Sequence, residues 1–357
     1  MSTENTTLIF GIILSFFISF AGFFALNQKR KNNPEKNFLA GSILLPMLML
    51  GCLGAYAITF NDNDFICNFS AFELCFYLLG AGIIFLVNQF FAKKISFITT
   101  LAIIAFAVVS LPHEMKIFPN LPLWTNNILY ILFWFSFCWA FKYLNGTDGV
   151  ATIQSLTITV GLFLLSVNGA VPRFIGTTAL FWSGVLLAFL IFNWYPSKLK
   201  LGLPCCLALG FLLGGLNFRS ATEGMASCVL VFNLYAVVEI FLAIFKSLFG
   251  RQSLSDITAN TFYFQAEVSG LSPDNIANNI IRLQIALIVL GYFEAFAPNQ
   301  YSVPLLSLVI CFWYLNKIAH WQEAGKSFKE INRDVIGEIK SNFTSIKDSL
   351  NKENNDK

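Results

Sequence analysis

Thr125 to Phe141 reads TNNILYILFWFSFCWAF, seventeen residues without a charge. Runs of this kind recur along the whole chain of 357 residues, which is 56% hydrophobic and only 12% charged. Soluble domains carry about 25% charged residues. The apolar residues come in blocks and do not alternate. About 20 residues at 1.5 Å each cross a hydrocarbon core of roughly 30 Å. Inside that core only helices and closed barrels satisfy the backbone. The blocks are too long and too uniform for barrel strands. The expected fold is therefore all-α, a polytopic membrane protein.

Eleven spans are expected, over 8–26, 38–60, 70–91, 95–111, 125–143, 150–168, 177–195, 201–218, 225–245, 277–297 and 301–318. The amino-terminal MSTENTT has Glu4 and no basic residue, so the first run reads as an uncleaved span. Basic residues mark the inner side of a membrane protein. With the N-terminus outside, twenty of the 23 Lys and Arg fall on the inner side. Only Lys116, Arg173 and Arg219 fall outside. The C-terminus then lies inside. Residues 8–318 form the membrane domain, and 319–357 a charged tail. In the tail, Phe328, Ile331, Val335, Ile339, Phe343, Ile346 and Leu350 are three or four apart, the period of an amphipathic helix. Two readings fit that helix: lying on the membrane surface, or docking on a partner. No nucleic-acid role is expected, since the basic residues are spent on orientation.

The eight cysteines lie mostly within spans and show no CxxC or Cys/His spacing, as small apolar packers would. Glu73, Glu239 and Glu294 fall within spans and Arg282 near an inner end, where charge is costly and commonly functional. They are read either as interface or helix-pairing residues, or as the pathway of a transporter. No internal repeat supports a transporter fold.

Between the fifth and sixth spans lies KYLNGTDG, residues 142–149. Asp148 precedes GVATIQSL, where a carboxylate caps a helix and suits its positive end. The same carboxylate could hold a divalent cation facing a phosphate. Spacing alone leaves both readings open.

The stretch resembles the signature of the polyprenyl-phosphate N-acetylhexosamine-1-phosphate transferases, N-x-x-N-x-x-D-G-x-D-G. Asn145, Asp148 and Gly149 match. Lys142 replaces the first Asn, and Ala151 and Thr152 replace the second Asp-Gly. A second block, FNWYPSKLKLGLPCCLALGFLLG at 192–214, is similar to the family's F-N-W-P-P-A-K-I-F-x-G-D-x-G-S-x-x-L-G-F. Phe192, Asn193, Trp194, Pro196, Lys198, Gly202, Leu209, Gly210 and Phe211 are in register, whereas Leu203 stands at the family's Asp. Asn88 and Gln89 stand at its Asp pair. In ANTFYFQAEVSGLS, Gly270, Leu271 and Ser272 are kept but Thr261 takes a His position.

The resemblance implies an enzyme that moves a sugar phosphate from a UDP-sugar to a polyprenyl phosphate with Mg²⁺, in the inner membrane, for envelope glycans. It marks Asp148 as the catalytic and metal-binding remnant, and Asn145, Asn193 and Lys198 as substrate contacts. Asn88, Gln89, Ala151, Leu203 and Thr261 are degenerate positions. Magnesium prefers carboxylate oxygens in near-octahedral array, and phosphoryl transfer relies on it to neutralise developing charge. With one acid surviving, the expectation is a catalytically degenerate relative. Two alternatives remain. One is an active transferase whose site is rearranged around Asp256, Glu267 and Asp274. The other is a transporter. A homodimer is compatible with either.

Overall fold

The computed structural model describes residues 3–32, 41–59, 71–110, 117–118, 120–249, 254–296 and 302–317. The tail helix, Cys67, His113 and His320 lie outside them. The described residues form helices and connecting turns, with no strand among them. In chain order the helices are α1 (Thr3–Asn32), α2 (Gly41–Thr59), α3 (Ala71–Phe90), α4 (Lys93–Val109), α5 (Leu123–Leu144) and α6 (Val150–Val167). They continue with α7 (Arg173–Asn193), α8 (Leu203–Ser220), α9 (Ala226–Phe249), α10 (Phe262–Val268) and α11 (Pro273–Glu294). The last is α12 (Ser302–Lys317).

Among the described residues, eight helical stretches are long and apolar enough to cross a membrane. One of them, Leu203–Phe249, is a hairpin. It bends at Ala221–Met225, where Gly224 has φ 89, and so separates α8 from α9. Asn217 on one arm donates to Asn233 on the other at 3.3 Å. The helices α4 and α12 are shorter and apolar. Within the described residues, each expected span overlaps one of these helices, with shifted ends. Helix α7 begins at Arg173 behind Pro172, and α11 begins at Pro273 behind Ser272, whose hydroxyl caps the Asn275 N–H at 3.4 Å. Helix α9 runs on past the end of its expected span, to Phe249.

Burial places α7 at the centre: 83% of its membrane-crossing stretch is buried, against 17% for α1. It packs against α1, α2 and α6; α8 packs against α3 and α5; α9 and α11 lie against α6. In lipid, packing and interhelical hydrogen bonds hold helices together, since hydrocarbon removes most of the hydrophobic drive. The bonds are visible here. Trp182 Nε1 donates to the Leu48 carbonyl at 2.7 Å, and Trp134 Nε1 to that of Phe211 at 3.0 Å. Tyr77 donates to the Leu212 carbonyl. The seven described cysteines are free thiols; six are buried and Cys75 is exposed.

The alternation of helices sends the C-termini of α3, α5, α7 and α9 to one end, with the N-termini of α4, α6 and α8. Both signature blocks lie at that end. Glu73 opens α3 and Glu294 closes α11, so both lie at the far end, while Glu239 sits near the loops. The three acids thus belong to different ends of the bundle. Arg282 is exposed on α11.

Candidate functional site

The Asn145–Gly149 loop joins α5 to α6. Asn145 ends α5 half-buried. Gly149 turns the chain with φ 83, a conformation that costs an L side chain energy and glycine nothing. Asp148 does not cap α6, whose N-cap makes no side-chain hydrogen bond. Its Oδ2 reaches across instead and accepts the backbone N–H of Ser197 at 3.0 Å, in the loop between α7 and α8. The cap reading of Asp148 is thereby corrected. The carboxylate joins the two signature blocks.

Asn193 sits at the base of that second loop, almost wholly buried. Its Oδ1 accepts the Thr152 hydroxyl at 2.9 Å, and its Nδ2 donates to the Leu199 carbonyl at 3.0 Å. Both ends of the amide are spent on holding the start of α6 and the loop together. Lys198 is exposed beside it, and its backbone N–H bonds the Phe192 carbonyl at 2.8 Å. Trp194 Nε1 donates to Asp274 Oδ1 at 2.7 Å, which ties the loop to the first turn of α11.

From the opposite side the loop is clamped by α10. The Tyr263 phenol donates to the Tyr143 carbonyl and accepts the Gly146 N–H at 3.3 Å. Burial pushes that phenol well above its ordinary pKa, so it stays a protonated donor. Thr147 donates to Glu267 Oε2. Gly146 has no room for a side chain: a Cβ would lie 2.5 Å from Thr258 Cγ2 and 2.8 Å from the Tyr263 oxygen. At the edge of the loop, Lys142 Nζ lies 4.7 Å above the Trp139 ring and 5.0 Å above the Tyr143 ring, at cation–π distance.

The degenerate positions are built into the fold. Asn88 donates to the Ile84 carbonyl at 2.7 Å and accepts the Ser96 hydroxyl, closing the tight α3–α4 turn. Gln89 is exposed. Ala151 is buried in the first turn of α6, and Leu203, at the start of α8, packs on the core. Thr261 is fully buried and its hydroxyl donates to the Thr258 carbonyl at 2.6 Å. The structure therefore brings Asp148, Asn193 and Lys198 together with Asn145, and sets Asn88 and Gln89 on a separate turn.

A magnesium ion wants about six oxygen ligands, carboxylates foremost. Asp148 supplies one carboxylate, with Oδ2 already holding a backbone N–H. The Asn88 oxygen is neutral and taken by Ser96, and Leu203 has no donor atom. Among the described residues, no three His, Cys, Asp or Glu come together as a ligand set. This donor set does not fit Mg²⁺.

Sequence reading missed Tyr263, Thr147, Ser197 and Ser96. Tyr263 and Thr147 lay inside quoted motifs but at positions the resemblance leaves blank. Ser197 acts through its backbone, which no side-chain pattern reveals.

Residues 87–221 match the family described as glycosyl transferase family 4. This stretch holds the Asn88–Gln89 turn and both signature blocks. Two curated proteins are similar. One is the phospho-N-acetylmuramoyl-pentapeptide-transferase of Prochlorococcus marinus, 27% identical over 154 residues, which are 41% of this chain and 43% of that protein. The other, from Sulfolobus acidocaldarius, is named for a UDP-N-acetylglucosamine–dolichyl-phosphate N-acetylglucosaminephosphotransferase activity. It is 26% identical over 181 residues, 49% of this chain and 47% of that protein. The chain thus spans less than half the length of the curated relatives it matches. With the two signature blocks held against each other by Asp148, and these relatives beside the match, the chain is similar to glycosyl transferase family 4 over residues 87–221.

Proposed function

We propose that this protein is a catalytically degenerate member of the sugar-1-phosphate transferases. It keeps the loop end of the fold as a binding site for a UDP-sugar or a polyprenyl phosphate and serves envelope-glycan assembly in an inner membrane. The N-terminus faces out, the loop end and C-terminal tail face the cytosol, and two copies can associate. Asn145 and Lys198 meet the ligand's phosphates, with Asp148 and Asn193 fixing the loops that present them.

One observation carries the reading. The positions where the resemblance expects acids or histidine are occupied by Asn88, Leu203 and Thr261, and each of these is absorbed into local structure. Removing one electrostatic contact from a transition state costs about 3–4 kcal/mol. Contacts that act as a unit do not add, so the site has lost its reason to turn over, though not its shape.

The assay is Mg²⁺-dependent exchange of UMP with UDP-N-acetylglucosamine on the full chain in nanodiscs, beside titration with the same UDP-sugar. The expected result is binding without exchange. A variant carrying Asn88→Asp, Gln89→Asp and Leu203→Asp is run in parallel, to gain Mg²⁺ affinity. Robust exchange by the natural chain overturns the proposal.

A second reading has one observation in its favour. Glu267 reaches Thr147, the neighbour of Asp148, and so brings a second carboxylate to the loop. An active transferase with a rearranged site would use it, with Mg²⁺ as its cofactor. Asp274 is committed to Trp194, and the side chain of Asp256 lies outside the described residues. Exchange that is abolished by Glu267→Gln would favour this reading.

A further inference from the structure

Glu239 is a fully buried carboxylate on α9. Its Oε1 accepts the backbone N–H groups of Phe262 at 2.5 Å and Tyr263 at 3.2 Å, and so anchors the first turn of α10. Its Oε2 is buried with no hydrogen-bond partner among the described residues. Two further orphans lie beside it. Tyr235 is one turn earlier on the same face of α9, since residues four apart stack on a helix. Its hydroxyl is buried and has no hydrogen-bond partner among the described residues, and the same holds for that of Tyr314 on α12. The two rings meet edge to face, 6.3 Å between centroids.

Buried polar atoms in native proteins are almost always satisfied, and each exception calls for a cause. Here three orphans lie on neighbouring side chains, each at least nine-tenths buried, and none bonds another. Their chemistry selects the occupant. A carboxylate oxygen accepts, and a phenol donates and accepts. Water has two donors and two lone pairs, and buried water typically makes about three hydrogen bonds. A hard divalent cation takes six or more oxygens, and this cluster has three, two of them neutral.

We infer that Glu239, Tyr235 and Tyr314 together hold one internal water molecule, which joins α12 to α9 and, through Glu239, to α10. The water donates to Glu239 Oε2 and accepts from the two phenols. The path continues from Glu239 through the α10 backbone to Tyr263, and from Tyr263 to Tyr143 and Gly146. The last described helix is thereby coupled to the clamp over the candidate site.

 The coupling rests on the hydrogen bonds alone, and it does not depend on what the candidate site binds.

Two measurements on the full chain in nanodiscs test this. A cryo-EM map at a resolution that shows ordered water is expected to hold one peak at hydrogen-bond distance from Glu239 Oε2 and from both phenol oxygens. A direct Glu239–tyrosine bond with no peak, or a metal ion in its place, overturns the inference. Hydrogen–deuterium exchange is then compared between the natural chain and a Tyr235→Phe/Tyr314→Phe variant, which keeps both rings. Exchange at the Phe262 and Tyr263 amides is expected to quicken about tenfold, the scale of one ordinary hydrogen bond. Unchanged exchange overturns the coupling. Neither readout involves UDP-sugar binding, so failure here is distinct from failure of the proposed function.

Discussion

Asp148 and Ser197 meet across 49 positions of sequence, carboxylate to backbone N–H at 3.0 Å. The contact holds the α5–α6 loop against the α7–α8 loop. It also separates two roles that one carboxylate could play.

Asp148→Asn keeps an acceptor oxygen for Ser197, whereas Asp148→Ala removes it. A hydrogen bond to a charged group contributes about 1.5–3 kcal/mol. The alanine variant should lose about that much stability in thermal unfolding and the asparagine variant less. If both lose equally, the charge and not the bond to Ser197 is what stabilises the loop.

Gly146→Ala places a methyl against Thr258 and Tyr263. Overpacking of this kind costs about 1–3 kcal/mol. The expected outcome is a lower unfolding temperature together with weaker UDP-sugar binding, read by calorimetry on the same preparation.

Tyr263→Phe leaves the Tyr143 carbonyl and the Gly146 N–H without their partner, a loss of about 1–3 kcal/mol. The pH dependence has a definite sign. The folded-state pKa of this phenol is raised above the ordinary 10.0. Its contribution is therefore fully present below pH 10.0 and lost as pH rises towards the folded value. Natural chain and variant should differ by a constant amount at neutral pH and converge only in strong alkali.

Asn193→Ala and Thr152→Val each break the bond between α6 and the α7–α8 loop. A double-mutant cycle should return a coupling of about 0.5–3 kcal/mol, the range for residues in contact. Additive losses would deny the pairing.

The helices were legible because lipid demands long uncharged runs, and within the described residues each expected span overlaps one. Their ends were less so, since Pro172 and Ser272 set starts that hydropathy does not register. The loop was legible as text through Asn145, Asp148 and Gly149. The job of Asp148 was not, because its partner is a backbone N–H in another loop. Asn193 looked like a ligand contact by resemblance, yet both ends of its amide are engaged within the protein. The α10 clamp was hidden for the same reason: Tyr263 and Glu267 act over 120 positions, and periodicity speaks only of near neighbours.

The octapeptide KYLNGTDG owes its form to others. Its anchors arrive from distant segments, so the same eight letters transplanted between two unrelated helices would keep their spelling and lose their shape.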